Sequence, residues 1–239
     1  MASAIVVGAA GRMGRLVTEE LACRGFDVLG GYDALDVGAL DAEAPVADLV
    51  VDFSAPAALP HVLAYARRTG AAVVSGVTGL AEGQLDELRA LGADNRVAWS
   101  ANYSLGVAVL RRATAMAAEA LAGWDVEIVE THHNQKADAP SGTAKALLAA
   151  VDPGGERPVV DGRSGAVGAR TPAEIGVHAL RGGTVAGTHE VHFFGADEEL
   201  CLTHRAASRQ IFARGAALCA ERLLGRAPGF YDFDTLMFG

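Results

Sequence analysis

The densest group of polar side chains in the sequence lies between residues 130 and 144. His132 and His133 stand together, Lys136 follows them, and Ser141-Gly142-Thr143 closes the segment. A histidine exchanges protons near neutral pH, and a lysine supplies a compact positive charge. Serine is a frequent N-cap residue, and the amides that follow an N-cap point outward at the positive end of a helix, where they bind anions. The segment therefore predicts a site that binds a carboxylate and protonates a substrate.

Lysine is rare in this chain, which contains only Lys136 and Lys145 among 20 basic residues. A lysine beside paired histidines indicates a need for a tunable ammonium group where arginine serves elsewhere. A polar turn and a metal-binding histidine pair are the alternatives. Adjacent histidines normally diverge, and no cysteine or H-x-x-x-H partner accompanies them, so no metal site is predicted. The remaining histidines are interpreted as surface or strand residues: His61, His178, His189, His192 and His204.

A glycine-rich loop near the start of the chain is the second candidate site. Its sequence is Gly8-Ala9-Ala10-Gly11-Arg12-Met13-Gly14, and it lies between a predicted strand and a predicted helix. In such a loop the glycines allow a tight turn and close packing, and the amides at the helix start bind a pyrophosphate. We therefore predict that these seven residues bind a dinucleotide.

Other predicted cofactor contacts lie at the ends of later strands. Asp33 ends the second strand, where a carboxylate accepts hydrogen bonds from the adenosine ribose of NAD, although an ordinary exposed turn is the alternative. Arg12 and Arg15 offer charges for the 2′-phosphate of NADP, so the expected cofactor is NADH, NADPH or both. Gly76-Val77-Thr78 and Ser100-Ala101-Asn102-Tyr103 follow the fourth and fifth strands, at the edge where doubly wound sheets bind ligands.

Alternating strands and helices position these segments. Apolar runs predict strands at 3–8, 26–32, 49–53, 71–75 and 96–99, and helical spacing predicts helices at 12–24, 57–68 and 81–91. This order is typical of a Rossmann-type, doubly wound parallel sheet in an α/β protein. The second half predicts helices at 105–122 and from 141, and strands at 124–131, 174–180, 184–193 and 199–204 in a mixed or antiparallel sheet. A further helix at 206–224 is expected to carry the chain back to the first domain. The predicted domains are 1–103 with 209–239, and 104–208.

The composition narrows the classes of partner and compartment. A net charge of −9 argues against binding to nucleic acid or to an anionic membrane. The apolar first ten residues lack a basic region and lead into the glycine loop, so they are interpreted as a strand rather than a signal peptide. No run of apolar residues is long enough to span a bilayer. Three widely spaced cysteines indicate free thiols, and a cytoplasmic protein is expected.

Several segments resemble one known family. The stretch from Glu130 to Ala144 is similar to the E-x-H-H-x-x-K-x-D-A-P-S-G-T-A signature of the dihydrodipicolinate reductases. The glycine loop resembles the G-x-x-G-[RK]-[MV]-G loop of this family. Further similar blocks are Val51-Asp52-Phe53-Ser54, Gly76-Val77-Thr78-Gly79, Ser100-Ala101-Asn102-Tyr103-Ser104, Arg181 to His189, and His204 to Arg209. The segment between Asp33 and Asp48 is short, and Gln135 replaces a histidine of some relatives.

The resemblance implies a nicotinamide-dependent reductase of the diaminopimelate and lysine pathway. It assigns proton donation to His132 and Lys136 and carboxylate binding to His133, Gly142 and Thr143. Ser141, the predicted N-cap beside them, is grouped with these substrate-binding residues. The resemblance also implies a small dicarboxylate substrate and a second, mixed α/β domain that contacts the substrate and forms a homotetramer. Alternatives are another two-domain oxidoreductase acting on a sugar or amino acid, and a regulator that senses NAD(H). The carboxylate-binding helix start distinguishes the first alternative, and the lack of a basic DNA-reading element distinguishes the second.

Overall fold

The computed structural model describes residues 1–239, which divide into two compact units. Unit 1 contains Met1–Leu105 and Gln210–Gly239, and unit 2 contains Gly106–Arg209. No helix of the chain combines the length and the apolar character needed to cross a membrane.

Unit 1 is built on a six-stranded parallel sheet. Its strands are β1 (Ser3–Val7), β2 (Asp27–Tyr32), β3 (Leu49–Asp52), β4 (Ala72–Ser75), β5 (Arg96–Trp99) and β11 (Gly229–Tyr231). The spatial order is β11-β5-β4-β3-β1-β2. Because β2 lies on one side of β1 and the later strands lie on the other, the strand order reverses between β1 and β3. Ligands of doubly wound sheets bind beside such a reversal.

Helices cover both faces of this sheet. They are α1 (Arg12–Cys23), α2 (Leu59–Thr69), α3 (Glu82–Leu91), α6 (Gln210–Leu224) and α7 (Phe233–Phe238), with short 3₁₀ turns at Val37–Asp41 and Pro56–Ala58. All four residues of β3 and of β4 are buried, as expected for parallel strands covered on both sides. Helix α6 packs against α1 and against the central strands. These contacts join the last 30 residues to the unit formed by the first 105.

Unit 2 contains a mixed five-stranded sheet of order β10-β9-β6-β8-β7. Its elements are α4 (Leu105–Ala120), β6 (Asp125–His132), α5 (Gly142–Val151), β7 (Val159–Asp161), β8 (Ile175–Arg181), β9 (Thr188–Phe194) and β10 (Glu199–Arg205). Strand β6 pairs in parallel with β8 and antiparallel with β9. Every second residue of β6 is buried, beginning with Val126 and ending with His132. That inner face packs with α4 and α5, whose buried residues include Leu110 and Leu147.

The structure confirms the predicted Rossmann-type sheet, and it shows that the second sheet, predicted as mixed or antiparallel, is mixed. The prediction of a strand beginning at residue 184 was wrong, because β9 begins at Thr188. Gly183 and Gly187 have φ angles of +51° and +153°, which are incompatible with a regular strand. The helix predicted from residue 206 begins instead at Gln210.

Candidate active site

The glycine loop of unit 1 has the sterically restricted form that its sequence predicts. Gly8 has a φ of +80°, and its amide donates a hydrogen bond to the Tyr32 carbonyl at 2.7 Å. A Cβ atom on Gly14 would lie 2.0 Å from the Gly8 carbonyl oxygen. Larger residues at these two positions would therefore push the loop away from the helix.

The start of α1 leaves amides available to an anion. Gly11 is the N-cap and has no side chain with which to cap the first turn. The amides of a first helical turn have no acceptor within the helix, and the helix dipole favours negative charge there. The residues present therefore fit the pyrophosphate of a dinucleotide cofactor.

Asp33 is held close to this loop at the end of β2. Its carboxylate accepts hydrogen bonds from the Ala10 amide at 3.0 and 3.2 Å, and its own amide donates to Asp36 Oδ1 at 2.6 Å. A cavity of about 280 Å³ lies beside β2, and its lining residues are Ala9, Arg15, Thr18, Glu19, Val28 and Gly31. The loop, Asp33 and one of the two predicted arginines thus lie in one region of unit 1.

The turns after β4 and β5 are tied to each other. The Trp99 indole donates to the Val77 carbonyl at 3.0 Å, and the Ser100 amide donates to the Ser75 carbonyl at 3.2 Å. A Cβ on Gly76 would lie 2.3 Å from the Phe53 ring, so glycine is required where this turn meets the end of β3. Thr78, Ala101 and Asn102 lie on the same pair of turns, as their positions in the sequence require.

Tyr103 differs from the other predicted cofactor residues because its side chain is part of the core. It is 2% exposed, and its hydroxyl donates to the Ser75 carbonyl at 2.8 Å. Its ring packs against those of Phe53 and Phe233. Only the backbone of Tyr103 is left for a cofactor contact, and the side chain instead supports the strand ends.

Asp52, at the end of β3, was not singled out by sequence reasoning. Its Oδ1 accepts hydrogen bonds from the Ser54 amide and hydroxyl, while the buried Oδ2 has no partner. Burial raises the pKa of Asp52 to about 6, although the bonds from Ser54 oppose the shift. The sequence signal was a carboxylate at the end of an otherwise apolar parallel strand.

In unit 2, strand β6 places a carboxylate and an imidazole on the same inner face. Glu130 is fully buried, and its Oε2 lies 2.6 Å from Nδ1 of His132. Arg181, at the end of β8, donates two hydrogen bonds of 2.8 Å to the two oxygens of Glu130. The Ser141 amide donates to Glu130 Oε1 at 3.0 Å. One carboxylate therefore contacts the predicted acid and the N-cap residue of α5.

The loop between β6 and α5 carries Lys136. Its Nζ lies 2.7 Å from Asp138 Oδ1, and its side chain is 19% exposed. The hydrogen bond from Lys136 keeps the pKa of the Asp138 carboxyl below its usual value. The His133 amide donates to the Val185 carbonyl at 2.8 Å, so the loop is held by the segment that precedes β9.

The predicted helix cap is confirmed. Ser141 is the N-cap of α5, and its hydroxyl accepts a hydrogen bond from the Ala144 amide at 3.1 Å. Gly142 is exposed, and a Cβ there would meet no atom within 4 Å. Thr143 is half-buried in the same turn. The positive end of α5 thus begins where the sequence predicts a carboxylate-binding site.

His189 was interpreted from the sequence as a surface or strand residue, and the structure shows a buried strand residue beside the predicted acid. Its ring meets that of His132 edge to face, with 5.1 Å between centroids, and its Nε2 lies 3.1 Å from the Ser141 hydroxyl. Burial, followed by the charge of His132, lowers the pKa of His189 to about 4. His189 is therefore neutral near pH 7.

A cluster of possible metal ligands lies on the opposite face of the same sheet. His192 uses Nδ1 toward Glu199 at 2.5 Å and Nε2 toward Cys201 at 3.9 Å. One ligand atom from each of the three residues lies within 4.8 Å of the others. The cluster is described more simply as a hydrogen-bonded cross-strand group.

The chain is similar to known proteins along nearly its whole length. Residues 2–103 match the family described as dihydrodipicolinate reductase, N-terminus, and residues 106–237 match its C-terminus. The 4-hydroxy-tetrahydrodipicolinate reductase of Stenotrophomonas maltophilia is 45% identical over 194 residues, which cover 81% of this chain and 74% of that protein. The enzyme of the same name from Gluconacetobacter diazotrophicus is 41% identical over 244 residues, which cover 97% and 95%.

A solved structure also shares the fold. The dihydrodipicolinate reductase of Paenisporosarcina sp. TG-14, determined with bound dipicolinate, has a TM-score of 0.76 and covers 97% of each chain. Its sequence is 20% identical, so this likeness bears on the fold of the chain.

Proposed function

The chain belongs to the dihydrodipicolinate reductase family, and from that premise we propose how its residues divide the work of reduction. It is a nicotinamide-dependent reductase that converts 4-hydroxy-tetrahydrodipicolinate to tetrahydrodipicolinate in diaminopimelate and lysine biosynthesis. Replacing the hydroxyl by hydrogen consumes one hydride and one proton and releases one water. The protein must therefore bind a hydride source, hold a dicarboxylate and supply a proton.

Unit 1 is proposed to bind the cofactor. A bound NADH or NADPH supplies the hydride. The loop from Gly8 to Gly14 holds the pyrophosphate at the start of α1, and Asp33 accepts hydrogen bonds from the adenosine ribose. The turns that contain Thr78 and Asn102 hold the nicotinamide end. Both cofactors are accepted with a preference for NADH, because Asp33 repels a 2′-phosphate that Arg12 and Arg15 partly attract.

Unit 2 is proposed to bind the substrate and to protonate it. His132 and Lys136 supply the proton, and their positive charges attract a dianionic substrate to a protein that is acidic overall. The amides of Gly142 and Thr143, with the Thr143 hydroxyl and His133, hold the carboxylates. Ser141 keeps this helix start in place through its cap.

The observation that carries the proposal is the double use of Glu130. The same buried carboxylate contacts Nδ1 of His132 and the amide of Ser141, so the proton donor and the anion-binding helix start are fixed side by side. A general acid next to a carboxylate-binding site is what reduction of a cyclic dicarboxylate requires.

The test is a reductase assay coupled to the aldolase that makes the substrate, run with NADH and NADPH in parallel. The wild-type protein should oxidise both cofactors only when the coupled substrate is present, and polyols should not replace that substrate. His132→Gln should lower turnover on the order of 10²-fold or more. His61→Gln, which removes a histidine of α2 paired with Asp41, is the matched control and should leave turnover unchanged. Cofactor oxidation with a polyol and none with the coupled substrate would refute the proposed function.

We further propose that the protein is a cytoplasmic homotetramer. The free thiols of Cys23, Cys201 and Cys219 support a reducing compartment. The helices α4 and α5 cover one face of the mixed sheet, and the other face bears partly exposed side chains such as those of Glu190 and His192. A sheet face without covering helices supports assembly through unit 2. Light scattering should give about four times the chain mass of 24.5 kDa. A monomer at assay concentration would contradict the tetramer.

A further inference from the structure

The ion pair between the buried Glu130 and the partly exposed Arg181 has no part in the proton donation assigned to His132 and Lys136. A pair with a buried member contributes little to stability, because desolvation of the buried charge offsets the attraction. Its position therefore calls for another explanation. Glu130 lies two residues before His132 on β6, and Arg181 lies opposite His132 in the register of β6 with β8.

All the hydrogen-bonding capacity of Glu130 is used. Oε1 receives hydrogen bonds from Arg181 and from the Ser141 amide, and Oε2 receives them from Arg181 and His132. Burial by itself raises the pKa of Glu130, but the hydrogen bonds from Arg181 and His132 outweigh it and leave the pKa below its ordinary value. Glu130 is thus a carboxylate near neutral pH, and a carboxylate only accepts hydrogen bonds.

This fixes the proton of His132. Since Glu130 cannot donate, Nδ1 of His132 must carry a hydrogen in both the neutral and the charged ring. Nε2 is then the only nitrogen that gains and loses a proton. It lies on the side of Gly187, where an added Cβ would approach Nε2 to 3.1 Å, so a glycine keeps space open beside that nitrogen.

We propose that the Glu130–Arg181 pair is a positioning device that keeps a proton on Nδ1 of His132 and makes Nε2 the nitrogen that protonates the substrate. The inference rests on the proposed function, in which His132 is a proton donor. Arg181 has a second task, because it balances the charge of the Glu130 carboxylate. It also donates to the Asp138 carbonyl at 2.7 Å, which links the pair to the loop of Lys136.

The other ionisable groups around His132 are compatible with this role. On β9, His189 stays neutral because burial lowers its pKa to about 4. On β10, burial also lowers the pKa of His204, which lies opposite His189. In the loop, Lys136 is paired with Asp138. Glu130 is therefore the anionic group in direct contact with His132.

The decisive experiment is nitrogen NMR of histidine side chains in the wild-type protein without substrate, with the His132 signal identified through His132→Gln. The neutral His132 ring should carry its proton on Nδ1. A neutral ring protonated on Nε2 would overturn the proposal. This measurement does not depend on turnover. If the wild-type protein had no reductase activity, the proposed function would be refuted, but the tautomer of His132 would still show whether the Glu130–Arg181 pair positions the proton.

Kinetics supply the second readout. Glu130→Gln should lower kcat on the order of 10²-fold and should move the alkaline fall of the kcat profile to lower pH by about one unit, because the imidazolium loses its carboxylate. The NADH dissociation constant should stay unchanged. The matched control is Glu190→Gln on β9, because the Glu190 carboxylate is partly exposed and pairs with Arg205. This variant should change neither kcat nor the pH at which kcat falls.

Glu130→Gln leaves Arg181 without a counter-charge, so its folding is checked against the double variant Glu130→Gln/Arg181→Met. The double variant removes both charges and should fold, yet it should still show the lower kcat and the displaced pH profile. A folded double variant with the wild-type kcat and pH profile would show that the pair is purely structural and would overturn the proposal.

Discussion

Replacing Lys136 by methionine should change turnover without a large change in folding stability, because the Lys136 side chain forms one ion pair that contributes little to stability. Its ion pair with Asp138 is partly exposed, with 19% of the lysine and 59% of the aspartate side chain accessible. Such a pair contributes at most about 1 kcal/mol. In a chain of this length that corresponds to a fall in Tm of less than about 4 °C. If Lys136 takes part in proton donation, kcat should fall roughly 10²–10⁴-fold, which is about 3–5 kcal/mol of activation free energy.

The assay compares kcat at saturating substrate with Tm and with NADH binding in the absence of substrate. Lys145→Met is the matched control, because Lys145 is the other lysine of the chain and is exposed on α5. It should keep normal turnover. Adding His132→Gln to Lys136→Met should cost little more than either change alone if the two side chains act as a unit. Near-normal kcat in a folded Lys136→Met protein would restrict Lys136 to binding and would leave His132 or water as the acid.

Three further outcomes are expected. Thr143→Val should raise the substrate KM roughly 10- to 150-fold, which corresponds to a loss of about 1.5–3 kcal/mol of binding free energy, while the cofactor KM stays constant. An unchanged substrate KM would show that this hydroxyl does not bind the substrate. In the wild-type protein NADH and NADPH should give comparable KM values, and Asp33→Asn should shift the preference toward NADPH. A wild-type KM for NADPH about tenfold below that for NADH would contradict the proposed role of Asp33. The folded-state pKa of Asp52, about 6, lies above its ordinary value of 3.8, so this carboxyl stabilises the fold in acid and loses that contribution as pH rises from 3.8 through 6. As pH rises from 4 to 7, the free energy of unfolding in urea should fall less in Asp52→Asn than in the wild type, with a difference of up to about 3 kcal/mol. Equal decreases in the two proteins would refute the raised pKa of Asp52.

Sequence patterns predicted the elements that are long or apolar enough to leave a recognisable pattern and missed the shortest ones. The strands β3 and β4 were readable as continuous apolar runs because both of their faces are buried, and α1 was readable because one buried face leaves helical spacing. The three-residue strands β7 and β11 carry too few residues for such a pattern and exist because they pair with β8 and β5. Helix α7 was also missed. Its N-cap, Asp232, accepts a hydrogen bond from the Thr235 amide, and an aspartate at this position is a signal that the sequence could have provided.

The same distinction holds for the candidate site. His132, Lys136 and Ser141 were identified because they are close together in the sequence, and the cap at Ser141 is confirmed. Arg181 and His189 reach the site only through strand register, in which His132 lies opposite Arg181 and Glu130 opposite His189. Register between distant strands is not visible in one sequence. The alternation of β6 was visible, and it would have placed Glu130 on the same face as His132.

The return of the chain from unit 2 to unit 1 sets an order for folding during synthesis. Residues 106–209 are contiguous, so a ribosome delivers all of unit 2 before the last strand and helices of unit 1 exist. Until β11 emerges, β5 is an unprotected sheet edge, and until α6 emerges, the apolar surface that it covers on the central strands stays open. Nascent chains released before residue 229 should therefore carry a folded second unit on an aggregation-prone first one. The usual expectation that the N-terminal domain folds first is reversed by the path of this chain.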